Sequence, residues 1–307
     1  MHEGSRRAII AALFANLGIA IAKGIAFLIT GSSALLAEAI HSVADTGNQA
    51  LLIFGGRRSE RKESQTHQFG YGTERYFWAF VVALVLFTLG AVFAVYEGIH
   101  KLSHPAELES PLIAVSVLVV AIGLESYSLR TAVHEARPSK GRKTWWQFIR
   151  STRNPELPVV LLEDVGALTG LFIALCGVGL SWSTGEPRFD SFASILIGLL
   201  LGAIAIVLAF EMHSLLIGES ADPEIEAAVR EAMLASPEVQ GVIHLRTLHL
   251  GPEDLLVAAK IALFSGELPA IAAAIDAAEA RIRAVVPTAR LIYLEPDLLR
   301  EIGITEG

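Results

Sequence analysis

Long apolar runs separated by short polar segments dominate the chain, falling at residues 8–29, 33–54, 77–99, 112–132, 159–182 and 189–216. At about 1.5 Å per residue, a helix over any of them crosses a hydrocarbon core of roughly 30 Å. None alternates apolar with polar at period two, as a membrane barrel strand would. Lipid offers the backbone no hydrogen-bond partners, so continuous runs predict six transmembrane helices. Beyond residue 218 the pattern changes. Helical periodicity returns at 223–234 and 268–285, and strand-like runs occupy 241–250, 255–263 and 289–294. The order α-β-β-α-β predicts a small two-layer α+β domain of ferredoxin-like type, with its helices on one face of the sheet. Gly251-Pro252 punctuates the hairpin, and Pro287 lies just after the second helix. The expected division is a membrane domain over 1–218 and a cytoplasmic domain over 219–307.

Composition supports this class, with 53% hydrophobic residues, 18% charged residues and a mean hydropathy of +0.53. The run after Arg6 and Arg7 continues to about Ile29 without a small-residue cleavage site, so it is expected to remain as the first span. Arg57, Arg58, Arg61, Lys62 and Arg75 come after the second run, and Lys140, Arg142, Lys143, Arg150 and Arg153 after the fourth. The segments at Gly31, 100–110 and 183–188 are short and poor in Lys and Arg. The positive-inside rule then places both termini in the cytoplasm. The net charge of −8 says little about partners, since acidic residues collect in the C-terminal third and basic ones in the loops between apolar runs, and nothing supports a nucleic-acid partner. A single cysteine, Cys176, excludes an intrachain disulfide and a thiolate cluster. No internal repeat relates the two halves. Residues 143–154, with Trp145, Trp146 and Phe148 among basic side chains, read as a short amphipathic helix or an aromatic anchor at the interface.

Ionisable residues inside the runs cost about 2–4 kcal/mol each, so each needs a partner or a task. Those that stand out are Lys23, Glu38, His41, Asp45, Glu97, Glu125, Glu163 and Asp164. His41 and Asp45 are four apart, which puts them on one helix face about 6 Å apart along the axis. An imidazole nitrogen and a carboxylate oxygen both ligate Zn²⁺, and Asp164 on a facing helix is the natural third ligand. Gly47, Gly166 and Ala167 permit close helix approach. The competing reading is polar glue between helices, which three titratable groups make expensive. Glu163 is about 100° around the helix from Asp164, so it reads as a partner for a basic side chain, a proton-access group or an additional ligand. Lys23 either snorkels to the interface or pairs with an acid. Glu97 lies near a span end, and Glu125 lies within reach of the cytoplasmic loop, where it would face an access path. The pairs Gly166/Gly170 and Gly198/Gly202 read as helix-packing motifs. His100 and His104 read as surface residues. His244 and His249 are an odd number apart on a strand and cannot serve one metal. The chain lacks a His-Glu-x-x-His helix, so an enzyme is not expected, nor is a resident cofactor.

Three segments carry a family resemblance: GSSALLAEAIHSVAD at 31–45, QFGYGTERY at 68–76 and VLLED at 160–164. With six spans, a basic loop and an α-β-β-α-β domain, the chain resembles the cation diffusion facilitator family over almost its whole length. The resemblance implies a proton-coupled antiporter in the plasma or inner membrane, usually a homodimer, that exports Zn²⁺ or a similar ion from the cytoplasm. It also implies two ligands four apart on span two and two more on span five. His41, Asp45 and Asp164 match, but the remaining position is Val160, which cannot bind metal. The fourth place is left to water, to Glu163 or to another span. LLEDV at 161–165 and WWQFIR at 145–150 are similar to the subgroup containing the mitochondrial-type zinc transporter of animals. Family members also bind zinc in the soluble domain and after span two. Here Ile243, Ala259 and Tyr293 replace the expected histidines, leaving Glu295, while Ser64 and Tyr71 flank a matching His67. Those sites are expected to be missing or weak, and the soluble domain to serve dimerisation. The metal stays open among Zn²⁺, Mn²⁺, Fe²⁺, Co²⁺ and Ni²⁺, and a non-transporting scaffold or metal sensor is the other class.

Overall fold

The computed structural model describes residues 3–105, 110–264 and 266–298. The chain divides into two compact units, one holding the helices up to His213 and the other holding the segment Ser59–Thr73 together with the chain from Ser214 onward.

The first unit contains α1 (Glu3–Thr30), α2 (Ser33–Ser59), α3 (Glu74–Val85), α4 (Phe93–Ser103), α5 (Pro111–Lys140), α6 (Trp145–Ser151), α7 (Glu156–Thr184) and α8 (Arg188–Ile217). A π-helical segment, Leu86–Val92, joins α3 and α4 into one continuous helix. Four helices are long and apolar enough to cross a bilayer: Glu74–Ser103, α5, α7 and α8. α1 is apolar over Asn16–Thr30. In α2 the apolar character is diluted by Glu38, His41, Asp45, Asn48, Arg57 and Arg58. Six spans were expected, and these four meet that length and composition unaided. α5 continues past the expected end at 132 to Lys140, taking Pro138 into its last turn.

The α1–α2 turn depends on Gly31, whose φ of +66° lies in the left-handed region that a side chain disfavours. Asp190, in the first turn of α8, secures the start of α2. Its carboxylate accepts from Ser32 Oγ at 2.6 Å, Ser33 N at 2.7 Å and Ser33 Oγ at 2.8 Å. A negative charge there satisfies free amides at the α2 N-terminus and opposes the helix dipole. α4 and α8 approach until their backbones nearly touch: a Cβ on Gly198 would lie 2.8 Å from Val95 N, and one on Gly98 would lie 2.9 Å from Ser191 O. Ser194 Oγ donates to Ala94 O across the same seam at 2.9 Å. α6 begins with a capping box between Thr144 and Gln147. It buries Phe148 and Ile149 and exposes Trp145 and Trp146, as an amphipathic helix should. Arg75 forks onto Glu156 at 2.6 and 2.8 Å, tying the start of α3 to that of α7.

The second unit has the expected order: α9 (Pro223–Leu234), β1 (Val239–Gly251), β2 (Asp254–Leu263), α10 (Leu268–Val285) and β3 (Ala289–Asp297). β1 and β2 form an antiparallel hairpin, and β3 runs parallel to β2 after the α10 crossover. The sheet order is β1-β2-β3. α9 lies against β1, and α10 against β3 and α9. Their core holds Val229, Met233, Val257, Ile261 and Ile282. Gly72 presses on Leu250 and Gly251 so closely that a Cβ there would strike the Leu250 carbonyl oxygen. His249 is buried and His244 exposed, consistent with opposite strand faces.

Candidate metal centre

Glu38, His41, Asp45 and Asn48 succeed one another at spacings of three, four and three, which on a helix is a single face. All four are buried in the bundle. An apolar helix tolerates such a stripe only where other groups or an ion satisfy it.

At one end of the stripe, Lys23 on α1 donates to Glu38 Oε2 at 3.1 Å and to Ser42 Oγ at 2.8 Å. Lys23 is fully buried, so of the two sequence readings the structure takes pairing over snorkelling. Gly170 on α7 leaves room for the Glu38 carboxylate, since a Cβ there would collide with Glu38 Oε1. In the middle, His41 Nδ1 lies 3.4 Å from Asp45 Oδ1. Both His41 ring nitrogens and Asp45 Oδ1 are buried without a hydrogen-bond partner. At the other end, Asn48 Nδ2 donates to Glu163 Oε1 at 2.6 Å.

The adjacent carboxylates of α7 diverge as the 100° step requires. Glu163 faces α2, while Asp164 accepts from Ser128 Oγ of α5 at 3.2 Å. Glu163 therefore meets an amide rather than the basic side chain that its sequence position suggested. Glu125, three residues before Ser128 on α5, is 4% exposed. Among the described residues, no three His, Cys, Asp or Glu side chains converge tightly enough to hold an ion. The structure brings His41 and Asp45 together and leaves Asp164 on the α5 side. A cavity of about 810 Å³ between α1 and α5 reaches Lys23 and Ser128, the side chains that hold Glu38 and Asp164.

The other sequence candidates lie elsewhere. His100 and His104 stack at 5.1 Å on an exposed helix end. His67 packs its ring at a tilt against Tyr71, 4.5 Å between centroids, and Tyr71 OH lies 3.1 Å from Ser64 Oγ. Glu295 is bound to Lys260 at 3.1 Å. Sequence reasoning missed Asn48, Ser42, Ser128 and Asp190. The first three are uncharged and raise no alarm in an apolar run, although Asn48 continues the stripe at three past Asp45. Asp190 sits at the edge of its run and reads as a loop residue.

Three relatives place these residues in context. The mitochondrial proton-coupled zinc antiporter SLC30A9 of Xenopus laevis is 33% identical over 261 residues, covering 84% of this chain and 47% of that protein. Metal tolerance protein C4 of Arabidopsis thaliana is 30% identical over 271 residues, covering 87% of this chain and 58% of its own. The chain thus spans about half the length of these two relatives. Magnetosome protein MamB of Magnetospira sp. (strain QH-2) is 25% identical over 292 residues, which is 92% of both chains. The profile of the cation efflux transmembrane domain matches residues 9–217. That match runs from within α1 to the last residue of α8 and takes in Lys23, the α2 stripe, Glu125 and the Glu163-Asp164 pair, so the chain belongs to the cation efflux family.

Proposed function

We propose that this protein is a proton-coupled transporter of divalent metal, zinc foremost, which binds its substrate at His41, Asp45 and Asp164 and exports it from the cytoplasm. The observation that carries this reading is the buried His41–Asp45 pair, 3.4 Å apart, with both ring nitrogens and Asp45 Oδ1 lacking partners. Unpaired acceptors in a dry interior are costly unless a ligand completes them. Asp164 joins when α2 and α7 close on the ion, giving up Ser128. Val160 leaves the fourth place to water or to Glu163. One imidazole among oxygens also suits Mn²⁺, Fe²⁺, Co²⁺ and Ni²⁺.

These ligands bind metal only when deprotonated, so metal and protons compete for the same atoms. Protons arriving from the far side displace the ion outward, and the exchange needs no separate proton channel. Helix motion between inward-open and outward-open states supplies alternating access. In this reading α1 and α2 complete six spans, both termini face the cytoplasm, and the domain from residue 219 holds two copies together as a homodimer.

The test is reconstitution into vesicles containing a pH-sensitive dye, challenged with a panel of metals. Zn²⁺ should drive proton flux that weakens as the pH on the metal side falls, and Asp45→Ala or Asp164→Ala should abolish it. Normal flux in both variants would remove the site assignment, and a response to Mn²⁺ with none to Zn²⁺ would replace the substrate.

A further inference from the structure

We propose that Asn48 and Glu163 form a second cation position, one helical turn from the His41–Asp45 pair toward Arg57, where oxygen atoms alone hold the divalent ion before it passes to the imidazole. The proposal rests on the transport reading above. Asn48 lies three residues after Asp45, about 4.5 Å along the axis and on the same face. Its Nδ2 is committed to Glu163 Oε1 at 2.6 Å. Oδ1 belongs to the same planar amide as that donor. Oδ1 is buried without a hydrogen-bond partner, Asn48 is 0% exposed, and Glu163 is 4% exposed.

A buried amide oxygen without a donor is a cost that a leucine at this position would avoid. A cation removes the cost by serving as the missing partner. One Glu163 oxygen is held by the amide donor, which fixes the carboxylate against the Asn48 side chain. Asp45 Oδ1, the next unpartnered acceptor along the stripe, lies a turn away and links the two positions. Unpartnered acceptors thus recur at Glu38, His41, Asp45 and Asn48, about one per turn. Such a row lets an ion exchange one set of ligands for the next without crossing a bare apolar stretch.

The position is chemically distinct from the first. Amide and carboxylate oxygens without nitrogen or sulfur make a hard site, where the preference for Zn²⁺ over Mn²⁺ is weaker than at an imidazole. Selection among metals then falls to His41. Asparagine rather than aspartate keeps one more negative charge out of a region already crowded with carboxylates, and so holds the ion less tightly than the His41–Asp45 pair.

The experiment uses the full chain in detergent, with Mn²⁺ alone and Co²⁺ alone as probes in equilibrium dialysis and Co²⁺ absorption reporting the imidazole position. The wild type should bind two ions per chain. Asn48→Ala and Glu163→Gln should each bind one, and Asn48→Ala should keep the Co²⁺ spectrum and raise the vesicle KM for Zn²⁺ about tenfold. Asn48→Asp, which keeps an oxygen acceptor, should again bind two. A wild type that binds a single ion, or Asn48→Ala and Glu163→Gln that still bind two, would overturn the proposal. Loss of both ions together with the Co²⁺ spectrum would overturn it too, by reducing Asn48 to a prop for the first site. If instead the wild type drives no proton flux with any metal, the transport reading falls, and the Asn48 variants judge the second position by themselves.

Discussion

Lys23 brings a full positive charge into the bundle and spends it on Glu38, 3.1 Å away. Both groups are completely buried, so their attraction competes with a large desolvation cost and depends on each keeping the other. Lys23→Met should therefore destabilise the protein by about 3–5 kcal/mol, because an uncompensated carboxylate stays behind. The double variant Lys23→Met/Glu38→Leu should recover most of that loss. Thermal unfolding of the full chain in detergent measures both, and equal stability of the two variants would show that the pair is not coupled. The sequence showed that Lys23 and Glu38 each needed a partner. Which partner depends on α1 and α2 facing each other at that depth, a contact made after a chain reversal that no local pattern encodes.

Glycines carry much of the packing between helices, and not all alike. A Cβ on Gly198 would lie 2.7 Å from Val95 Cγ2 and 2.8 Å from Ala91 O, whereas one on Gly179 would meet nothing within 4 Å. Gly198→Ala should force α4 and α8 apart and cost about 1–3 kcal/mol. Gly179→Ala should be neutral or stabilising by up to about 1 kcal/mol, through helix propensity alone. Detergent melts of both variants check the contrast, and equal losses would refute the α4–α8 seam. The small-xxx-small spacing at Gly198/Gly202 marks a packed face in the sequence itself. The π segment at Leu86–Val92 had no comparable sign. Its apolar residues suit an α-helix as well, and Gly90 in that segment packs against Leu201 of α8.

For the whole molecule, the basic loops and the apolar runs together predict the topology. In a Cys176→Ser background, Arg61→Cys should react with an impermeant maleimide from the cytoplasmic face, and Ser183→Cys only from the opposite face. Labelling of both from one face would break the six-span arrangement. The helices, the α-β-β-α-β order and the shared face of His41 and Asp45 were all legible in the amino-acid order. They arise from local periodicity, where neighbours in sequence are neighbours in space. The same order carried enough motif to place the chain among cation efflux proteins. That Lys23 meets Glu38, that Glu163 turns to Asn48 and that Asp164 rests on Ser128 across α5 emerged only with the packed helices. Each of these joins residues from different helices, and the partner is chosen by how whole helix faces pack, through glycines and small residues such as Gly170 beside Glu38 and Gly198 on α8. A helical pattern states which side chains point the same way, and the fold alone states what they point at.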